Sequence, residues 1–147
     1  MYKHILLPVD GSDFGMGSIP YAVNLAKAVG APLTALNVSI PYAAIVSGAL
    51  SARFPEEDYL KGTHDMAAQN LKKVETIATA AGVRYKGFHA FHLHPWESII
   101  ETAKEQGCDL IVMASHGRRG LAGLLLGSET KKVLTHTTIP VLVWRGA

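Results

Sequence analysis

The sequence predicts an α/β domain in which a five-stranded parallel sheet carries helices on both faces. Three observations predict it. Five short apolar runs alternate with longer stretches of helical period, and such alternation argues for parallel strands joined by crossover helices. One run, Leu110, Ile111, Val112, Met113 and Ala114, is apolar at every position, as suits a central strand covered on both sides. The chain has 147 residues, 48% hydrophobic and 18% charged, which is one domain large enough to bury a core without staples.

The elements follow in order. Ile5, Leu6, Leu7, Pro8 and Val9 read as a buried first strand. Residues 18–29 read as a helix with Ser18 as N-cap, Gly30 just past its end, and Ala22, Val23, Ala26 and Val29 on one face. Because Pro20 is tolerated only near a helix start, residues 12–19 are expected to be irregular or kinked. Residues 33–38 form a second strand. The apolar stretch 40–55 is irregular, with room for a short helix. Residues 56–81 read as a long helix, with Met66, Ala67, Leu71, Val74, Ile77, Ala78 and Ala81 turned inward and Gly82 as its stop. A third strand covers 83–91. Pro95 opens the next helix, which points Ile99, Ile100 and Ala103 inward and stops at Gly107. After Leu110–Ala114 come a Gly-rich loop over 115–127, a short helix over 128–136, and a last strand, Val141, Leu142, Val143 and Trp144.

Composition removes several classes of function. A net charge of +2 is too weak to imply nucleic acid. A lone cysteine, Cys108, allows neither an intrachain disulfide nor a thiolate metal cluster. No run of 18 apolar residues exists, and the N-terminal apolar run is too short for a signal peptide. These features predict a soluble, cytoplasmic protein that does not engage a membrane.

In open parallel sheets, ligands sit beyond the carboxyl ends of the strands where strand order reverses. The loop after the fourth strand is therefore the place to look. Gly117 offers backbone conformations closed to other residues. Gly127 and Ser128 open the next helix, whose free N–H groups and positive dipole end suit an anion. The Ser128 hydroxyl is placed to cap that helix or to meet a phosphate oxygen. This is not a P-loop, since no lysine follows Gly127, and Gly11, Gly15 and Gly17 lack the spacing of a dinucleotide fingerprint. The plain alternative is a tight loop that needs its glycines for turns alone.

Pro8-Val9-Asp10-Gly11-Ser12 after the first strand, Ser115-His116-Gly117 with Gly127-Ser128 beyond it, and the ending Ile139-Pro140-Val141-Leu142-Val143 together resemble the universal stress protein family. The resemblance covers nearly the whole chain. It implies strand order 3-2-1-4-5, a Rossmann-like fold of the adenine nucleotide alpha hydrolase type. It also implies a motif Gly-x2-Gly-x9-Gly-Ser/Thr, which this chain matches at Gly117, Gly127 and Ser128 but opens with Ala114. By the same resemblance Asp10 would touch ribose or a phosphate-bound metal, and Val38 would meet adenine through its backbone. Met113, Ala114, Ser115 and Gly117 would line ribose and phosphates. Gly127, Ser128 and Glu129 would hold phosphates through N–H groups, with Pro8, Val9, Ser12, His116, Arg118 and Thr130 completing the site. The implied ligand is ATP, ADP or AMP with Mg²⁺ bridged by the nucleotide near Asp10, and no metal held by protein alone. The last strand, Val141 to Trp144, would pair across a two-fold axis to build a homodimer; otherwise residues 40–55 of its own chain would cover that edge.

The resulting expectation is an adenine-nucleotide-binding stress-response regulator that works as a homodimer with a regulatory protein partner. Hydrolysis would be slow at most, since no general base stands beside the phosphates. The alternative is a dimeric interaction module without nucleotide. Ala114, whose methyl would crowd the ligand or forbid a positive φ where the motif has its first glycine, favours that alternative, as does a Glu129 whose charge repels phosphate; Asp10 would then only cap the turn with Ser12 and Asp13 nearby. His89, His92 and His94 invite a metal, but in a strand His89 points away from the other two and no nearby Asp, Glu or Cys completes an obvious set, Glu97 being the closest; His94 reads better as the cap of the helix begun at Pro95.

Overall fold

The computed structural model describes residues 1–48, 50–117 and 125–146. Its elements are β1 (Ile5–Pro8), α1 (Asp13–Val29), β2 (Leu33–Ser39), α2 (Tyr42–Ile45), α3 (Leu50–Arg53), α4 (Glu56–Ala80), β3 (Tyr85–Phe91), α5 (Pro95–Glu105), β4 (Leu110–Ala114), α6 (Ser128–His136) and β5 (Val141–Trp144). All strand pairs are parallel and the order is β3-β2-β1-β4-β5, as expected. Strand order thus reverses between β1 and β4.

Side chains alternate across each strand and so build two cores. Ile5, Leu7, Val9, Leu33, Ala35, Leu110 and Val112 pack against Ile19, Ala22, Val23 and Ala26 of α1 and Val74 and Ala78 of α4. On the other face Leu6, Leu36, Ile111 and Met113 meet Ile99 and Ala103 of α5 and Val133 of α6. Cys108 belongs to this second core. Burial first, and the neighbouring Asp109 charge second, push its thiol up to about 11, so it stays protonated and inert. Among the described residues no helix is long and apolar enough to cross a membrane.

Several features differ from the sequence reading, among them the start of β3, at Tyr85 and not at residue 83. Helix α1 begins at Asp13, not Ser18, because Ser12 is its N-cap and accepts from the Gly15 N–H at 3.0 Å. Pro20 therefore lies in the helix interior. Burial of Gly15, Ser18 and Ile19 holds that segment helical in spite of it. In α4 the buried stripe is Ala67, Asn70, Val74 and Ala78. Met66 stands one residue off that stripe, about 100° around the helix, and is exposed. Residues 40–55 form the two short helices α2 and α3. Tyr59 of α4 donates its hydroxyl to the Ile40 carbonyl, and Tyr42 donates to that of Phe54. The segment is thereby tied to the β2–α4 side of the sheet, away from β5, so it does not cover the edge strand.

At the amino edge of the sheet, Asp109 accepts from the backbone N–H groups of Lys3 (2.9 and 3.0 Å) and His4 (3.0 Å). Burial works against its charge, but these donors outweigh it and hold the carboxyl below the ordinary aspartate range. The fold therefore favours the carboxylate. That contribution is complete above the unfolded value of about 4 and is lost as pH falls through the lowered folded value. Asp109→Asn should flatten the acid limb of stability; denaturant titrations of both proteins between neutral pH and strong acid check this. Parallel acid limbs would show that Asp109 contributes nothing.

Candidate functional site

The turn after β1 and the turn after β4 meet at the reversal point. Asp10 Oδ1 accepts from the Ser12 N–H (3.0 Å) and the Ser12 hydroxyl (2.7 Å), while Ser12 Oγ caps α1. The other Asp10 oxygen lies against Gly117, so closely that a Cβ there would collide with it. Gly117 has no positive φ. Its lack of a side chain is needed for this approach and not, as the sequence suggested, for an unusual backbone conformation.

Ala114 completes β4 opposite Trp144 in an extended conformation, so its methyl costs the backbone nothing. Thr130 is buried and donates its hydroxyl to the Ala114 carbonyl at 3.0 Å, which fixes α6 to the end of β4. Ser115 is buried, with its N–H on the Trp144 carbonyl (2.8 Å) and its hydroxyl paired with His116 Nδ1 (2.9 Å). Among the described residues His116 Nε2 is buried without a hydrogen-bond partner. Its ring meets Phe14 edge-on, and Phe14 in turn packs on Trp144, 5.2 Å between centroids.

Helix α6 starts at Ser128, and its cap position is Gly127 rather than Ser128, with no side-chain cap. Its first internal acceptor, Gly127 O, takes the Lys131 N–H at 3.1 Å. The N–H groups of Ser128, Glu129 and Thr130 therefore stand at the open end of the helix. The Gly127 N–H is already bonded to the Ser115 carbonyl at 2.6 Å. The Glu129 carboxylate turns to α5, where it accepts the Trp96 N–H at 2.9 Å. It thus caps α5, the task the sequence assigned to His94, whose side chain makes no cap bond.

The remaining expected positions divide by side chain. Val9 and Met113 are buried in the two cores and Val38 packs against the second, so each has only backbone to offer a ligand. Pro8 ends β1 beside them. Arg118 and its neighbour Arg119 lie outside the described residues. Val141, Leu142, Val143 and Trp144 are half-buried on an edge strand paired only with β4. The sequence reading missed Asn70. Its amide donates to Asn37 Oδ1 at 2.8 Å, both residues are buried, and Asn70 sits directly under Gly11. The signal was available: an asparagine on the inward stripe of a helix needs a polar partner.

The sequence pattern of the universal stress protein family matches residues 1–145. The chain belongs to that family. Among curated relatives, universal stress protein MJ0531 of Methanocaldococcus jannaschii is 34% identical, covering 97% of this chain and 82% of the relative. Universal stress protein YxiE of Bacillus subtilis is 32% identical over 99% of this chain and all of its own length. Two solved universal stress proteins share the fold and carry nucleotides. One, in complex with cAMP, has a TM-score of 0.70 at 23% identity, covering 99% of this chain and 98% of the other. The other, from Archaeoglobus fulgidus in complex with dAMP, has a TM-score of 0.67 at 21% identity, covering 97% of each. This universal stress protein has the sheet order that the family resemblance implied.

Proposed function

We propose that this universal stress protein binds an adenine nucleotide, ATP with Mg²⁺ foremost and otherwise ADP or AMP, and acts as a cytoplasmic homodimeric regulator in the stress response. The observation that carries the reading is the meeting of Asp10 with Gly117 beside the open N-terminus of α6, at the point where strand order reverses. The nucleotides held by the two neighbouring structures support it. In this reading the N–H groups of Ser128, Glu129 and Thr130 receive phosphate, and the backbone around Val38 meets the base. The Asp10 carboxylate faces the ribose or the Mg²⁺, which when bound would offset phosphate charge. Glu129, engaged with α5, does not oppose an anion from inside the site. Edge strand β5 supplies the surface for a second copy of the chain, and nucleotide occupancy sets which regulatory partner is met.

Calorimetric titration of the purified protein with MgATP tests this. Binding at or below millimolar nucleotide is expected, weakened about tenfold or more by Asp10→Ala through loss of a charged hydrogen-bond acceptor. No binding at millimolar MgATP would refute the reading.

One observation favours a second reading, a dimeric interaction module without nucleotide. The Gly127 N–H is bonded to the Ser115 carbonyl, and one Asp10 oxygen to Ser12, so part of the proposed cradle is satisfied within the chain. A dimer in sedimentation experiments combined with no heat of nucleotide binding would select it.

A further inference from the structure

On the α4 side of the sheet, away from the Gly117 loop, three side chains form a hydrogen-bonded chain. Ser39, the last residue of β2, has its Oγ 2.8 Å from His89 Nε2. His89 Nδ1 is 3.1 Å from Nδ1 of His64 on α4. Phe91 packs against both imidazoles, at 4.7 Å from His89 and 5.6 Å from His64 between centroids, and walls the pair on one side. The register that sets Asn37 opposite His89 and Ser39 opposite Phe91 places all four on one face. Val38, between them, packs against the opposite core.

We propose that Ser39 is an activated nucleophile that accepts acyl groups from activated esters, with His89 as its general base and His64 as the residue that orients His89. Hydroxyl, base and orienter within hydrogen-bond reach are the arrangement by which a weak serine nucleophile is activated. The chain is continuous when His89 carries its proton on Nδ1. That N–H donates to His64, and Nε2 is left to accept the Ser39 hydroxyl proton. Burial, above all, lowers the His89 basicity, so the imidazole is neutral and open to a proton near pH 7. In the step, Ser39 Oγ forms a bond to the ester carbonyl carbon and its proton passes to His89 Nε2. The bond to the leaving alcohol then breaks, and that alcohol takes the proton back from His89. Ser39 is left as an ester, one alcohol is released, and no other reactant is needed. Ser39 and His89 are half-buried and His64 is exposed, so a small ester has access. Two imidazoles facing each other also resemble a pair of metal ligands, but a zinc site needs three or more protein ligands, and no such set that includes them occurs among the described residues.

The test uses the full chain with p-nitrophenyl acetate. A burst of one p-nitrophenolate per chain is expected, with one acetyl group on the peptide that contains Ser39 by mass spectrometry. Ser39→Ala should remove the adduct. His89→Gln should slow acetylation about a hundredfold or more, the usual weight of a general base. His64→Ala should slow it less, and His64→Asn, which keeps an acceptor, should restore part of the rate. Melting curves of each variant separate lost reactivity from lost folding. Failure of wild-type protein to acetylate at Ser39 overturns the proposal. So does equal acetylation in the folded His89→Gln variant, or acetylation that needs added zinc and stops in EDTA. Ser39 follows Val38 at the carboxyl end of β2, but its side chain lies on the α4 face, so calorimetry of Ser39→Ala with MgATP keeps the two readings apart: acylation fails in this variant while nucleotide binding is retained.

Discussion

Gly11→Ala is expected to lower the melting temperature by roughly 10 °C. Two costs combine at this position. Gly11 has φ +81°, a conformation that costs an L-residue about 1–2 kcal/mol. A Cβ there would also stand 2.8 Å from both the Nδ2 and Oδ1 atoms of Asn70. Asn70 cannot swing out of the way cheaply, because it is buried and holds the buried Asn37. Breaking that pair leaves polar groups unmatched inside the protein, at about 1–3 kcal/mol. Together the losses reach about 2–5 kcal/mol, a large share of the stability of an ordinary domain. Gly62→Ala is the control. It lies inside α4 with open space around it, and the change should stabilise the helix by about 1 kcal/mol. Thermal unfolding of the two variants beside wild type decides the matter. A Gly11→Ala protein that melts within a degree or two of wild type would show that the Asn70 contact is soft and the turn adaptable.

The contrast between Gly11 and Asn70 also shows what a sequence of this kind makes legible. Strand β4 was readable because every residue in it is apolar, and only a strand buried on both faces needs that. Helix ends at Gly30, Gly82 and Gly107 were readable because the local signal and the fold agree there: each glycine adopts positive φ. The start of α1 was not. A local rule placed proline near a helix start, but the Asp10–Ser12–Gly15 bonds begin the helix earlier and burial carries it through Pro20. At the site, the loops were legible but their contacts were not. Asp10 and Gly117 are more than a hundred residues apart in the chain, and only the sheet order brings them together. Glu129 was legible as an acid at the head of α6, yet its partner is a backbone N–H on α5, which no spacing within α6 can reveal. The Ser39–His89–His64 chain escaped for the same reason: its members sit on three elements, and only the β2–β3 register aligns them.

The Asp10–Gly117 contact leads to the second large effect. Gly117→Ala is expected to weaken nucleotide binding by about 5- to 150-fold, the affinity equivalent of about 1–3 kcal/mol of overpacking. The cost is entirely steric, since Gly117 has no positive φ to lose. The new methyl would collide with Asp10 Oδ2. Asp10 is tethered through its other oxygen to the N–H and hydroxyl of Ser12, and Ser12 caps α1. Either the carboxylate breaks from Ser12 or the turn after β4 backs away from the turn after β1. Both responses part the two walls of the proposed site. The second also strains the bond from the Gly127 N–H to the Ser115 carbonyl, and with it the approach to α6. A double-mutant cycle separates this collision from any general effect of the methyl. In an Asp10→Ala background the obstruction is gone, so Gly117→Ala should cost little further affinity, and the two changes should be non-additive by about 1 kcal/mol or more. Calorimetry of wild type, both single variants and the double variant measures the coupling. Strict additivity would mean that Asp10 and Gly117 act on the nucleotide independently, and that their close approach is a feature of packing alone.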